Sequence, residues 1–206
     1  MNGLVSDPFP HWIGQLASPF LLERVLDEFG GVDAGGWVGF DNALERKLGC
    51  EDADHWSPAV REYFAWLAED GRKALESIFG MEGLVLETVG GGYHLIPPGG
   101  FLAVHADFNR SPRSGRYRRL NVLTYLNHDW QDEGGHLGLW DAHGPAVTVA
   151  PEFGTTVAFE TSSHSYHGHP KPAERPRLSL AGYFFSDAEP ETYSGLDHST
   201  VFKGAA

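Results

Sequence analysis

From residue 84 onward the chain alternates short apolar segments with breaks rich in glycine and proline, and this spacing limits the fold more than any other feature. The segments are 84–89, 93–96, 101–106, 120–126, 136–140, 146–150, 155–160, 165–167 and 178–185. Gly90-Gly91-Gly92 and Pro97-Pro98-Gly99-Gly100 separate the first three, and the Arg-, Ser-, Pro- and Gly-rich stretch 109–116 precedes the fourth. Segments this short, rich in β-branched and aromatic residues, read as strands. Strands at such intervals build antiparallel sandwiches or barrels, because an apolar sheet face needs a second sheet to cover it.

The first 80 residues have a different texture. Ser18-Pro19 and Ser57-Pro58 each place a capping hydroxyl before a proline suited to the first helical position. Leu21, Leu22, Val25, Leu26 and Phe29 follow the first at helical spacing, and Gly30-Gly31 ends the run. Val60, Tyr63, Phe64, Leu67, Leu75, Ile78 and Phe79 follow the second and predict one long or two consecutive helices ending at Gly80. A short, weakly marked helix is expected over 42–48. The expectation is therefore an α+β chain of one domain over 1–206, mainly helical over 1–80, with a double-sheet β core over 84–186.

Bulk properties exclude several function classes. A formal net charge of −13 argues against a protein that coats nucleic acid or an anionic membrane. Cys50 is the only cysteine, so no intrachain disulfide can form and a reducing, cytoplasmic setting is expected. The opening residues show no basic region followed by an apolar segment, so no signal peptide is expected, and no apolar run is long enough to span a bilayer. The partners expected are small-molecule or peptidyl substrates, not nucleic acid or membrane, with the oligomeric state left open.

Within the strand-rich part, the segment ending His105-Ala106-Asp107 sets an imidazole and a carboxylate on one strand face, since side chains alternate with a period of two. These are two of the three ligands that a non-haem iron site requires. A second histidine cluster, His164, His167 and His169, follows the segment 155–160. His169 shares the strand face of His167, and His164 faces the other way. Ten residues beyond His167 stands Arg177, with Ser179 two positions on. Arg175 competes with Arg177, but Pro176 keeps it in the preceding loop. A guanidinium beside such a metal site suits a co-substrate carboxylate, which it can pair with bidentately. His136 and Trp140 would face that cavity together, or stand as a hydrogen-bonding neighbour and a core residue. Arg118 and Arg119 would line an entrance or cap a charged loop. His11, His55, His128, His143 and His198 read as surface residues.

Four blocks occur in the order of a known family: 99–109 around His105 and Asp107; 118–130, containing Tyr125-Leu126-Asn127; Gly134 to Asp141; and Ser165-Tyr166-His167-Gly168-His169-Pro170 followed by Arg177-Leu178-Ser179. The chain resembles the prolyl 4-hydroxylase-like branch of the iron(II)- and 2-oxoglutarate-dependent dioxygenases over residues 84–186. The resemblance implies a double-stranded β-helix (jelly roll) preceded and buttressed by N-terminal helices. It implies His105, Asp107 and His167 as iron ligands and catalytic centre. It also implies that Arg177 binds the distal carboxylate of 2-oxoglutarate with Tyr125, Ser179 and Asn121 beside it. The cofactors would be Fe(II), 2-oxoglutarate and O2, with ascorbate an optional addition. The reaction implied is hydroxylation of an unactivated C–H bond in an amino acid, peptidyl residue or small natural product, releasing succinate and CO2. Related halogenases replace the carboxylate by a small residue, so Asp107 favours hydroxylation. Two alternatives stand beside it: a non-catalytic, metal-binding cupin-like jelly roll, and a non-haem dioxygenase that does not use 2-oxoglutarate. One departure is that the family often has a tyrosine about ten residues before the first ligand histidine, where this chain has Leu95, with Tyr93 and His94 nearby as candidates for its role.

Overall fold

The computed structural model describes residues 3–31 and 34–203. Among the described residues twelve strands form two antiparallel sheets laid face to face. In chain order they are β1 (His11–Gly14), β2 (Val38–Asp41), β3 (Arg46–Cys50), β4 (Val85–Ile96), β5 (Leu102–Ala106) and β6 (Tyr117–Tyr125), then β7 (Leu137–Trp140), β8 (Pro145–Val149), β9 (Thr156–Glu160), β10 (His167–His169), β11 (Arg177–Ser186) and β12 (Val201–Phe202). The larger sheet runs β1-β9-β6-β11-β4-β3-β2 and the smaller β12-β5-β10-β7-β8. The strand spacing predicts such a double-sheet sandwich, and the arrangement is the double-stranded β-helix that the resemblance implies.

Helices α1 (Pro19–Glu28), α2 (Pro58–Trp66) and α3 (Arg72–Phe79) cover the outer face of the larger sheet. A single π turn, Leu67–Gly71, joins α2 to α3, so the apolar stripe from Val60 to Phe79 is two helices in near continuity. Alternation then sorts the larger sheet. On β11, Leu180 and Phe184 pack under the helices, while Arg177, Ser179, Ala181 and Tyr183 face the other sheet. On β6, Leu120 and Val122 join the helical core, and Thr124 accepts a hydrogen bond from the Tyr63 hydroxyl at 2.9 Å. Asn121, Leu123 and Tyr125 point inward.

Several expectations change. Residues 42–48 are not helical. Asn42 turns the chain by accepting from the Leu44 and Glu45 amides, and β3 then pairs Leu48 with Leu95 and Cys50 with Tyr93. The first 80 residues thus contribute β1, β2 and β3 to the larger sheet besides the three helices, because edge pairing, not local periodicity, decides these segments. The glycine triplet does not end a strand either. β4 runs through it, with Gly90 and Gly92 at φ of 72° and 84°. A side chain on Gly92 would meet the Cys50 carbonyl oxygen at 2.1 Å, so glycine lets β3 approach β4 there. His11 is buried, its Nδ1 bonded to the Phe9 carbonyl, and is not a surface residue. Among the described residues, no helix is long and apolar enough to cross a membrane.

Candidate metal and co-substrate site

The inner faces of the two sheets enclose a cavity, and the smaller sheet delivers two imidazoles to it. β5 and β10 pair with His105 directly opposite His167, which brings the ring centroids to 4.4 Å. Asp107 stands one residue past the end of β5. The ligating atoms of His105, Asp107 and His167 all lie within 4.8 Å of one another. His164 is exposed, so of the three clustered histidines His167 is the one that meets the pair.

The orientation of each ring is fixed from behind. Nδ1 of His105 lies 2.8 Å from the Ala103 carbonyl and Nδ1 of His167 lies 3.0 Å from the Ser165 carbonyl. A carbonyl only accepts, so each Nδ1 carries the proton and each Nε2 presents a lone pair to the cavity. His167 titrates at about 4, because burial disfavours its charged form and His105 adds to the effect, so it is neutral near pH 7. The two Nε2 atoms sit 3.5 Å from the two oxygens of Asp107. Two lone pairs and a carboxylate facing one another with no proton between them suit a divalent cation.

Asp107 is itself held. Its Oδ2 accepts from Asn121 Nδ2 at 2.6 Å and from Arg118 Nη2 at 3.0 Å. Burial alone would raise its carboxyl, but the Arg118 guanidinium keeps it well below the usual carboxylate range. Arg118 is 1 % exposed, sandwiched with its guanidinium 3.6 Å from the Tyr183 ring centroid and 4.4 Å from that of Phe108. Its Nε donates to Asn121 Oδ1 at 2.8 Å, closing a three-residue network on Oδ2. Simple alternation would put Arg118 and Asn121 on opposite faces. A register shift against β11, between Phe184 and Phe185, turns both inward, and no local sequence signal marks it. Arg119 points away, to Ser186.

The larger sheet supplies a cationic end. Arg177 is buried, donating through Nε to the Gly135 carbonyl at 2.8 Å and through Nη2 to the Tyr125 hydroxyl at 3.2 Å. Among the described residues it has no carboxylate partner, although an unpaired buried guanidinium is costly. Ser179 lines the same cavity, as do Asn121, Lys47 and His94. Tyr93 does not: its ring packs on Phe29 and Trp37 and its hydroxyl donates to Ser57. Arg175 lies outside, over the Trp130 ring. His136 and Trp140 share a separate groove with Pro145 and Thr148, away from the cavity wall that Leu137 forms.

Residues 91–185 match the profile of the 2OG-Fe(II) oxygenase superfamily. No curated protein matches the sequence. Among solved structures, the chain is similar to a Pseudomonas putida prolyl-4-hydroxylase at 25% identity and TM-score 0.65, over 86% of this chain and 93% of that one. It is similar in fold to a Trichoplax adhaerens prolyl hydroxylase in complex with a hypoxia inducible factor peptide fragment, at 20% identity and TM-score 0.62 over 86% and 84% of the two chains. HygX from Streptomyces hygroscopicus, with nickel and 2-oxoglutarate bound, shares the fold at 16% identity and TM-score 0.58, over 92% of each chain.

Proposed function

We propose, from the premise that residues 91–185 make this chain a 2OG-Fe(II) oxygenase of the prolyl 4-hydroxylase-like kind, that it hydroxylates an unactivated C–H bond of an amino acid, a peptidyl residue or a small natural product. The observation that carries this is one cavity holding both the His105–Asp107–His167 cluster and a buried Arg177 without an anionic partner among the described residues. A binding protein with a structural metal would have no use for the second feature, and a dioxygenase without an acid co-substrate would leave Arg177 uncompensated.

Each side chain then has a task. His105, Asp107 and His167 would hold Fe(II), leaving positions on the ion for reactants. Arg177 would pair with the distal carboxylate of 2-oxoglutarate, with Tyr125 orienting the guanidinium and Ser179 and Asn121 beside it. Asn121 and Arg118 hold one oxygen of Asp107, which leaves the other to face the metal. Bound Fe(II) and 2-oxoglutarate supply the oxidising chemistry with O2: the co-substrate leaves as succinate and CO2, and one oxygen atom goes to the substrate. The apolar walls formed by Ile96, Leu102, Leu123 and Leu137 exclude water from the reacting atoms.

A groove beside the cavity, lined by Val38, Phe40, Glu51 and Gly91, shares Lys47 and His94 with it. A substrate seated there would reach the metal through the common wall. Succinate formation from 2-oxoglutarate in the presence of Fe(II), across a panel of free amino acids and peptides, tests the proposal. A substrate that stimulates turnover and gains one oxygen atom supports it. Turnover that is indifferent to 2-oxoglutarate overturns it.

A further inference from the structure

The cavity contains one more polar side chain for which the described residues provide no partner. His169, at the end of β10, is 2 % exposed. Among the described residues neither Nδ1 nor Nε2 has a hydrogen-bond partner, and a contact with its own main chain does not meet hydrogen-bond geometry. His105 and His167 differ in this respect, since a backbone carbonyl anchors each through Nδ1. A register shift between His167 and His169 sets His169 opposite Leu102, and it lies outside the three-residue metal cluster. Its ring lines the cavity with Arg177, Ser179, Lys47 and His94, and its strongest electrostatic neighbours are Arg177, His105 and Lys47.

A buried imidazole brings at least one N–H that needs an acceptor, and leaving it unmet is costly. Leucine would fill such a place without that cost, as Leu102, Leu123 and Leu137 do on the surrounding wall. The same cavity therefore has a guanidinium short of an anion and an imidazole short of an acceptor. One carboxylate satisfies both.

We infer that His169 is a co-substrate-binding residue, its ring N–H donating to the distal carboxylate that pairs with Arg177, so that His169 selects a dicarboxylate over a monocarboxylic 2-oxo acid. The inference rests on the reading of the cavity as a 2-oxoglutarate site. It assigns His169 a role separate from metal binding despite its place two residues from His167.

The test is calorimetric titration of the full chain loaded with Mn(II), without oxygen, using 2-oxoglutarate and 2-oxobutyrate, which lacks the distal carboxylate. His169→Leu should weaken 2-oxoglutarate by about ten- to a hundredfold, the loss of one hydrogen bond to a charged group. It should leave 2-oxobutyrate and Mn(II) binding unchanged. The ligand-free melting temperature should not fall, since no bond within the protein is removed. His169→Gln, which keeps a neutral N–H donor, should retain most of the 2-oxoglutarate affinity and provides a second variant if leucine impairs folding. Unchanged 2-oxoglutarate affinity in His169→Leu, while Arg177→Ala loses it, overturns this inference alone. Equal losses for both oxo acids, or loss of Mn(II), also overturn it, because His169 would then act through the metal or the fold. If the unaltered protein shows no saturable 2-oxoglutarate binding, the reading of the site falls, and the role of His169 with it.

Discussion

Replacing Arg118 by methionine keeps much of its length and apolar contact with Tyr183 and Phe108 but removes the charge that faces Asp107. Breaking a buried ion pair by deleting one partner costs about 3–5 kcal/mol, because the other charge stays behind uncompensated. Arg118 is fully buried, but the Asp107 side chain retains 14% exposure and its bond from Asn121, which places the expected loss near the lower end, about 3 kcal/mol. For a chain of this length that is a fall in melting temperature of about 6–12 °C. Urea denaturation followed by tryptophan fluorescence measures it directly. Mn(II) should narrow the gap between variant and unaltered protein, because the cation supplies the positive charge that Asp107 has lost. Arg119→Met, on the outward face of the same strand, serves as a control and should cost far less. A ligand-free Arg118→Met variant within about 0.5 kcal/mol of the unaltered protein would refute the argument that Arg118 neutralises Asp107.

Three further outcomes follow from the same structure. Arg177→Ala should raise the 2-oxoglutarate concentration needed for half-maximal succinate formation by at least about tenfold, through loss of a charge-assisted bond; an unaltered requirement would place the co-substrate elsewhere. Gly92→Ala should destabilise by about 2 kcal/mol or more in urea titration, since alanine disfavours the left-handed backbone and its Cβ would strike the Cys50 carbonyl. The Tyr63 phenol is pushed up to about 12 by burial, despite its hydrogen bond to Thr124. A tyrosine in the unfolded chain titrates near 10, so the folded-state pKa is raised and the associated stability is present below about pH 10 and lost as pH rises towards 12. Tyr63→Phe should flatten that alkaline limb, and an unchanged limb would assign it to other groups.

The strand-rich half was legible because its signals are local. Gly99-Gly100, the Pro97-Pro98 break and short β-branched runs mark strand ends within a few residues of where they fall. Ser18-Pro19 and Ser57-Pro58 likewise mark the starts of α1 and α2, although only the Ser57 hydroxyl accepts a capping bond, from the Val60 amide. What was not legible depends on partners distant in sequence. β1 and β12 are four and two residues long and exist because β9 and β5 offer edges to pair with. β3 reads poorly as anything until it is set against β4. In the site, the His105–Asp107 spacing is visible as a strand-face argument, but the burial of Arg118 follows from a register shift that no residue type announces. Tyr93 and His94 are adjacent and equivalent by composition. Only the pairing of β4 with β3 and β11 shows that His94 faces the cavity and Tyr93 the helices. In the sequence His169 is only a second imidazole on the strand face of His167, and its two unmatched nitrogens appear only once the walls around it are known.

On the proposed reading, the His105, Asp107 and His167 cluster and Arg177 together hold Fe(II) and 2-oxoglutarate in one site. Anaerobic titration of the protein with both tests this most directly, through the weak visible charge-transfer absorption that arises when the 2-oxo acid chelates the ion. The expected band requires both Fe(II) and 2-oxoglutarate, is abolished by Asp107→Ala, and needs much more 2-oxoglutarate to appear in Arg177→Ala. No band in the unaltered protein, or a band that Asp107→Ala leaves intact, would contradict that reading.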